Sequence, residues 1–165
     1  MLVKNLWILL LLGLLSSCGY HLRGAIILPS GIKRIYLDGA SPSLRERFKQ
    51  SLTSNDLVLS DTSENVGLII RVYNEANNRR ILSLSAGGAA NDFELAYDFN
   101  YDVLDEKNKP LIQHQMVSVK REYYNNQQAI IAKDSEELVI RNEMYKQAVS
   151  SILNGIKVAL DMSKK

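Results

Sequence analysis

The chain has 165 residues, 46% hydrophobic and 23% charged, with a formal net charge of +2. This is an ordinary globular composition with apolar material for the core of about one domain, so a disordered or low-complexity chain is excluded. A charge this near neutrality gives no basic stripe of the kind nucleic-acid binding demands.

Lys4 precedes an apolar run from Leu6 to Leu15, and Ser16-Ser17 follow before Cys18. A positive start, an apolar middle and small residues ahead of a cleavage point make a secretory signal. The run is shorter than the roughly 20 apolar residues a spanning helix needs, and its N-terminal position argues against a core helix. Leu15-Ser16-Ser17-Cys18 resembles a bacterial lipobox, with Ser17 where Gly or Ala is more usual. In that motif the cysteine becomes the first mature residue and carries several acyl chains, palmitate among them. The resemblance implies a cleaved lipoprotein signal peptide over residues 1–17, lipidation at Cys18, and a lipidated N-terminus and tether over 18–31. One acyl chain anchors a protein only marginally, so several would be needed. Cys18 is the only cysteine in the chain, so no intramolecular disulfide forms. No cofactor is expected beyond the covalent lipid on Cys18, and a single domain is expected over residues 32–165.

Lys33 to Leu37 reads as a first strand, stopped by Asp38-Gly39. Ser41-Pro42 opens a helix, with Ser41 as N-cap and Pro at the first helical position; Ser43 and Glu46 offer a capping box in another register. Leu44, Phe48 and Leu52 repeat every four residues as the buried face, and Asn55-Asp56 stop the helix. Leu57 to Leu59 is either an edge strand or a packed loop. Val66 to Asn74 reads as the next strand, with Leu68, Ile70 and Val72 on one side and Arg71 and Tyr73 on the other. Ile81 to Leu84 extends that arm to a tip at Gly87-Gly88. Phe93 to Val103 alternates apolar and polar residues throughout, which makes one face packed and one wet. Asn108 to Pro110 forms a turn. Leu111 to Tyr124 is a strand whose alternation falters at Gln113 to Gln115, as a bulge or a ragged hairpin end would cause. Asp134 and Glu137 form a second capping box. Leu138, Arg141, Tyr145, Ala148, Ile152 and Ile156 then follow on one side of a long amphipathic helix, flanked by Met144, Val149 and Leu160. The order β-α-β-β-β-α implies an α+β two-layer sandwich, a mixed or antiparallel four-stranded sheet with both helices on one face.

Signals for catalysis are weak. His21 and His114 lack partners at any recognisable spacing, and no nucleophile elbow, zincin or phosphate-loop pattern occurs. Asp98 and Asp102 share the wet face of one strand, where carboxylates are ordinarily just solvated. The chain is expected not to be an enzyme. Arg79, Arg80 and Lys133 stand near hairpin or loop ends, where cations serve solubility or meet phosphate.

Three segments resemble one family. Cys18-Gly19-Tyr20-His21-Leu22-Arg23-Gly24 with Leu28-Pro29-Ser30 resembles the mature start of the LptE family of lipopolysaccharide-assembly lipoproteins. Gln128-Ala129-Ile130-Ile131-Ala132-Lys133-Asp134 resembles the family's lead into its last helix, and Glu143-Met144-Tyr145 its helix interior. The likeness spans essentially the whole mature chain. It implies a lipid-anchored protein at the periplasmic face of the outer membrane. It implies a one-to-one complex with an LptD-like β-barrel that the chain plugs and helps assemble, and contact with lipopolysaccharide during its insertion into the outer leaflet. Gly19, in place of an inner-membrane-retaining Asp, agrees with that location. Lys133 stands where the family has a lysine implicated in lipopolysaccharide binding. The family's other cation precedes a hairpin tip that here reads Ser85-Ala86-Gly87-Gly88, so Arg79 or Arg80, lower on the arm, would have to replace it. The alternative is an unrelated outer-membrane lipoprotein serving as a periplasmic binding or scaffold module.

Overall fold

The computed structural model describes Leu28 and residues 32–53, 57–124 and 130–162, with backbone alone for 130–135. Asn55-Asp56, the tether, Cys18 and His21 lie outside the described residues. The elements in order are β1 (Arg34–Asp38), α1 (Pro42–Thr53), β2 (Val58–Ser60), β3 (Leu68–Leu84), β4 (Ala90–Asp105), β5 (Pro110–Tyr124) and α2 (Ile130–Met162). They form a five-stranded sheet in the order β2-β1-β3-β4-β5. β1 runs parallel to both β2 and β3, whereas β3, β4 and β5 form an antiparallel meander. The fold is the expected α+β sandwich with one strand more than four, because β2 is only three residues long and too short to show a periodicity.

The core lies between the sheet and the two helices. Ile35, Leu37, Leu68, Ile70 and Val72 pack with Leu95, Tyr97, Phe99 and Tyr101 against Leu44, Phe48 and Leu52 of α1 and Met144, Ala148, Ile152 and Ile156 of α2. The opposite face carries a much smaller cluster of Val66, Ile69 and Leu104, with Tyr36 beside it, and is otherwise polar. β3, β4 and β5 are 17, 16 and 15 residues long, about three times the commonest strand length. They form an arm, and the 33 residues of α2 are long enough to follow it for about 50 Å.

Two corrections concern α2. It begins at Ile130, so Asp134 lies inside the helix and not at its N-cap. Leu138, expected in the buried stripe, is 61% exposed. The arm opposite this part of the helix is polar: Tyr123 donates to Glu137 and Asn77 donates to Tyr145. Ionic and aromatic contacts replace apolar packing there. Further along, Met144, Ala148, Val149, Ile152, Leu153 and Ile156 are buried.

Two bulges set which side chains face the helices. In β5, Gln113 and His114 oppose the single residue Asp102, and His114 takes φ 52°. The expected irregularity is therefore a bulge. In β3, the pairing passes from Tyr73↔Asn100 to Ala76↔Asp98, so β3 carries one extra residue, and Asn74 takes φ 55°. Side chains beyond a bulge exchange faces, since strand periodicity is two. Glu75 turns toward α1, where its carboxylate accepts from the Ser41 N–H at 2.8 Å, the Ser41 hydroxyl at 2.5 Å and the Tyr97 hydroxyl at 2.8 Å. The Ser41 hydroxyl in turn accepts from the Leu44 N–H at 3.3 Å, as the expected N-cap does. Burial, and then the carboxylate it donates to, push the Tyr97 hydroxyl far above its ordinary range.

The turn after β1 depends on Gly39, which adopts φ 71° with its missing Cβ aimed into the Val72 carbonyl oxygen. Gly39→Ala is expected to cost about 3 kcal/mol, from left-handed strain with a backbone collision added. Urea denaturation of the full chain checks this, and a loss under about 0.5 kcal/mol would contradict it.

Candidate functional site

Arg79 and Arg80 are neighbours in sequence but lie on opposite faces of the sheet. Beyond the β3 bulge, Arg79 pairs across to Leu95 and Arg80 to Glu94, so Arg79 faces the helices and Arg80 the open side. Arg80 is bound by Glu94 through two hydrogen bonds, Nε to Oε1 at 2.7 Å and Nη2 to Oε2 at 3.2 Å. This fork geometry satisfies a guanidinium well. The Arg80 hydrogen bond, ahead of the opposing effect of burial, holds the Glu94 carboxyl below its ordinary range. Arg80 is thus committed to a partner within the arm.

Arg79 sits differently. Its guanidinium lies 3.8 Å from the centre of the Phe93 ring, and its Nη1 is 3.6 Å from the Glu137 carboxylate of α2. Phe93 stacks on Tyr123 with ring centres 5.5 Å apart. Glu137 accepts from Tyr123 Oη at 2.7 Å and from Arg141 at 2.9 Å, and a second Arg141 nitrogen lies 2.8 Å away. Two strands, β3 and β5, and the helix therefore meet at one carboxylate. Burial opposes ionisation of Glu137, but the hydrogen bonds from Tyr123 and Arg141 and the charges of Arg141 and Arg79 outweigh it and lower its pKa. Burial, then the bond to Glu137, pushes the Tyr123 hydroxyl up to about 12. The Arg79–Glu137 contact is long and shared, so Arg79 keeps donor capacity for an anion.

Lys133 lies in the helical backbone of α2 one turn before Glu137, and its side chain is outside the described residues. Lys133 therefore stands one helical turn from Glu137, which Arg79 meets, while Arg80 lies on the other face of the sheet. Apolar residues are exposed on these elements as well: Ile81 and Leu84 on β3, Tyr124 on β5, and Leu138 and Val139 on α2. Gly88 takes φ 80° in the turn that closes the arm at Ser85–Ala89. His114, read as a surface residue, is exposed, with Nδ1 3.0 Å from the Tyr73 hydroxyl. Glu137 and Tyr123 were not among the expected site residues. The available signal was Arg141, a cation in an apolar helical stripe, four residues after a glutamate.

This α+β fold is shared with solved bacterial lipoproteins. Lipoprotein B of Nitrosomonas europaea superposes with a TM-score of 0.68 at 28% identity, over 88% of this chain and 93% of that one. The rare lipoprotein B of Shewanella oneidensis shares the fold with a TM-score of 0.65 at 20% identity, over 81% of this chain and 100% of that one. The family profile described as "LptE: Lipopolysaccharide-assembly" matches residues 32–156. LPS-assembly lipoprotein LptE of Pectobacterium atrosepticum is 27% identical over 143 residues, covering 84% of this chain and 76% of that protein. Its counterpart in Photorhabdus laumondii is 29% identical over 153 residues, covering 87% and 81%. The chain belongs to the LptE family of lipopolysaccharide-assembly lipoproteins. Membership carries association with the lipopolysaccharide-assembly machinery and a place among the lipoproteins of the Gram-negative outer membrane.

Because folding lowers the Glu137 pKa, its contribution is complete above the unfolded value of about 4.3 and fades as pH falls through the folded value. Glu137→Gln is expected to cost about 1–2 kcal/mol at neutral pH. It should also reduce the chain's loss of stability on acidification below about pH 4. Denaturant melts of both proteins at neutral and acid pH check this, and equal acid sensitivity would contradict it.

Proposed function

We propose that this chain is a non-catalytic subunit of the gate that places lipopolysaccharide in the outer leaflet. It is held at the periplasmic face of the outer membrane by lipid on Cys18 and seats one-to-one in the lumen of an LptD-like β-barrel, which it plugs and helps to assemble. The observation that carries the reading is the family match across residues 32–156. The fold is consistent with it, since large barrels have polar, water-lined interiors and the uncovered sheet face is largely polar. Lipopolysaccharide carries phosphates, which guanidinium and ammonium groups bind by charge-assisted hydrogen bonds. Arg79 and Lys133 share the arm–helix junction and form the natural pair for that contact. Arg80, committed to Glu94 on the other face, is the poorer candidate.

Tagged chain extracted from its own outer membrane in mild detergent is expected to bring down one equivalent of a large β-barrel. Recovery alone, from membranes that contain the barrel, would contradict the plug. Lys133→Asp in the full chain is expected to weaken lipopolysaccharide binding about tenfold, the loss of one charge-assisted contact. Unchanged binding would remove Lys133 from the site.

A further inference from the structure

The seam between β5 and α2 holds an open groove beside an unpaired strand edge. β5 ends the sheet, and its outer edge has no strand partner among the described residues. From Gln115 to Tyr124 it keeps unbroken register with β4, so that edge presents a regular row of backbone donors and acceptors. One part of the groove, about 440 Å³, is walled by Ile112, Met116, Val117 and Val158 with Tyr101 and Gly155 between them. A second part, about 380 Å³, carries Arg121 and Gln147 together with Glu143 and Lys146, which pair with each other at 2.6 Å. Ser151 and Asn154 line both parts, which makes the groove continuous from an apolar end to one that Arg121 makes basic.

Each end holds a group without its natural complement. Tyr101 is 2% exposed, and its hydroxyl lies 2.6 Å from where a Cβ on Gly155 would stand. That hydroxyl makes no hydrogen bond to any described residue, and burial raises its pKa, which keeps it a donor. A buried donor is costly until an acceptor reaches it. Met116 is 59% exposed at the rim of the same pocket. At the basic end, Arg121 donates to the Gln147 side chain and the Lys120 carbonyl, and forms no ion pair among the described residues.

We propose that the groove receives an extended segment of a partner polypeptide, added alongside β5. Its apolar side chains enter the pocket beside Tyr101 and Gly155, a side-chain hydroxyl next to them accepts from the Tyr101 hydroxyl, and a carboxylate meets Arg121. A lipid with an anionic head group would fill the apolar end and meet Arg121 but leave the strand edge unanswered. A polypeptide satisfies all three, since main-chain bonds supply affinity and pockets for alternate side chains supply specificity. Val117 and Arg121 are four residues apart on β5, so the carboxylate follows the apolar pair by about 13 Å. This site is separate from the Arg79–Glu137 junction and does not rest on the barrel reading.

The test uses isotope-labelled, full-length lipidated chain in nanodiscs, titrated with the peptide acetyl-Thr-Val-Thr-Val-Thr-Thr-Thr-Glu-amide. Amide shifts confined to residues 112–121 and 151–162, saturating by about 5 mM, are expected. Arg121→Glu and Tyr101→Phe should each weaken that binding about fivefold or more. Tyr101→Phe should leave the melting temperature of the free chain unchanged, because its hydroxyl has no partner to lose among the described residues. The proposal is overturned by an absence of shifts, by shifts that neither variant moves, or by a lowered melting temperature in Tyr101→Phe. It is also overturned if the same residues respond to dihexanoylphosphatidylcholine, or to the chain's own concentration, and not to the peptide.

Discussion

At Asn74–Glu75, β3 carries one residue more than β4, and from Glu75 to Ile81 its side chains lie on the face opposite to the one simple alternation assigns. Without the extra residue, Arg79 would face outward with Arg71 and Tyr73, and Arg80 would face α2. With it, Arg79 reaches Glu137 and Arg80 reaches Glu94. The bulge also delivers Glu75 to the N-cap of α1 and to the Tyr97 hydroxyl. One local irregularity therefore fixes the first helix, the central strand and the placement of the cations. A left-handed asparagine is an economical way to build it, since Asn tolerates φ > 0 better than most residues.

The arm and the last helix are then joined by polar contacts along a line. Asn77 with Tyr145 and Arg79 with Glu137 follow one another outward from the core. Apolar packing holds the inner half of α2, where Ala148, Ile152 and Ile156 are fully buried. The outer half is held by charge and hydrogen bonding. Such contacts are worth less per residue than core burial, so this end of the molecule is the part most open to an anionic ligand.

Much of the architecture was legible in the sequence because it follows from periodicity. Phe93 to Val103 alternates without fault and Leu44, Phe48 and Leu52 repeat every fourth residue, so β4 and the first helix lie where expected. Ser41 caps as its position before Pro42 implies. The misses have separate causes. β2 is too short to have a period, Leu138 was assigned by extending a helical pattern into a region where ion pairs take over from apolar packing, and Asp134 was read as a cap although the helix begins a turn earlier, at Ile130. The parity change at Asn74 leaves no mark in composition, since Asn and Glu suit a regular wet strand face equally well. Of the site, Arg79 was legible as a cation near the tip, but its separation from Arg80 and its tie to Glu137 depend on the bulge.

The most direct measurement compares lipopolysaccharide binding by the full-length chain with that of Arg79→Ala and Arg80→Ala. If the bulge selects the cation that joins Lys133, Arg79→Ala should weaken binding about tenfold while Arg80→Ala leaves it near the parent value. Equal losses, or a loss confined to Arg80→Ala, would contradict the placement of the site on the helix side of the arm.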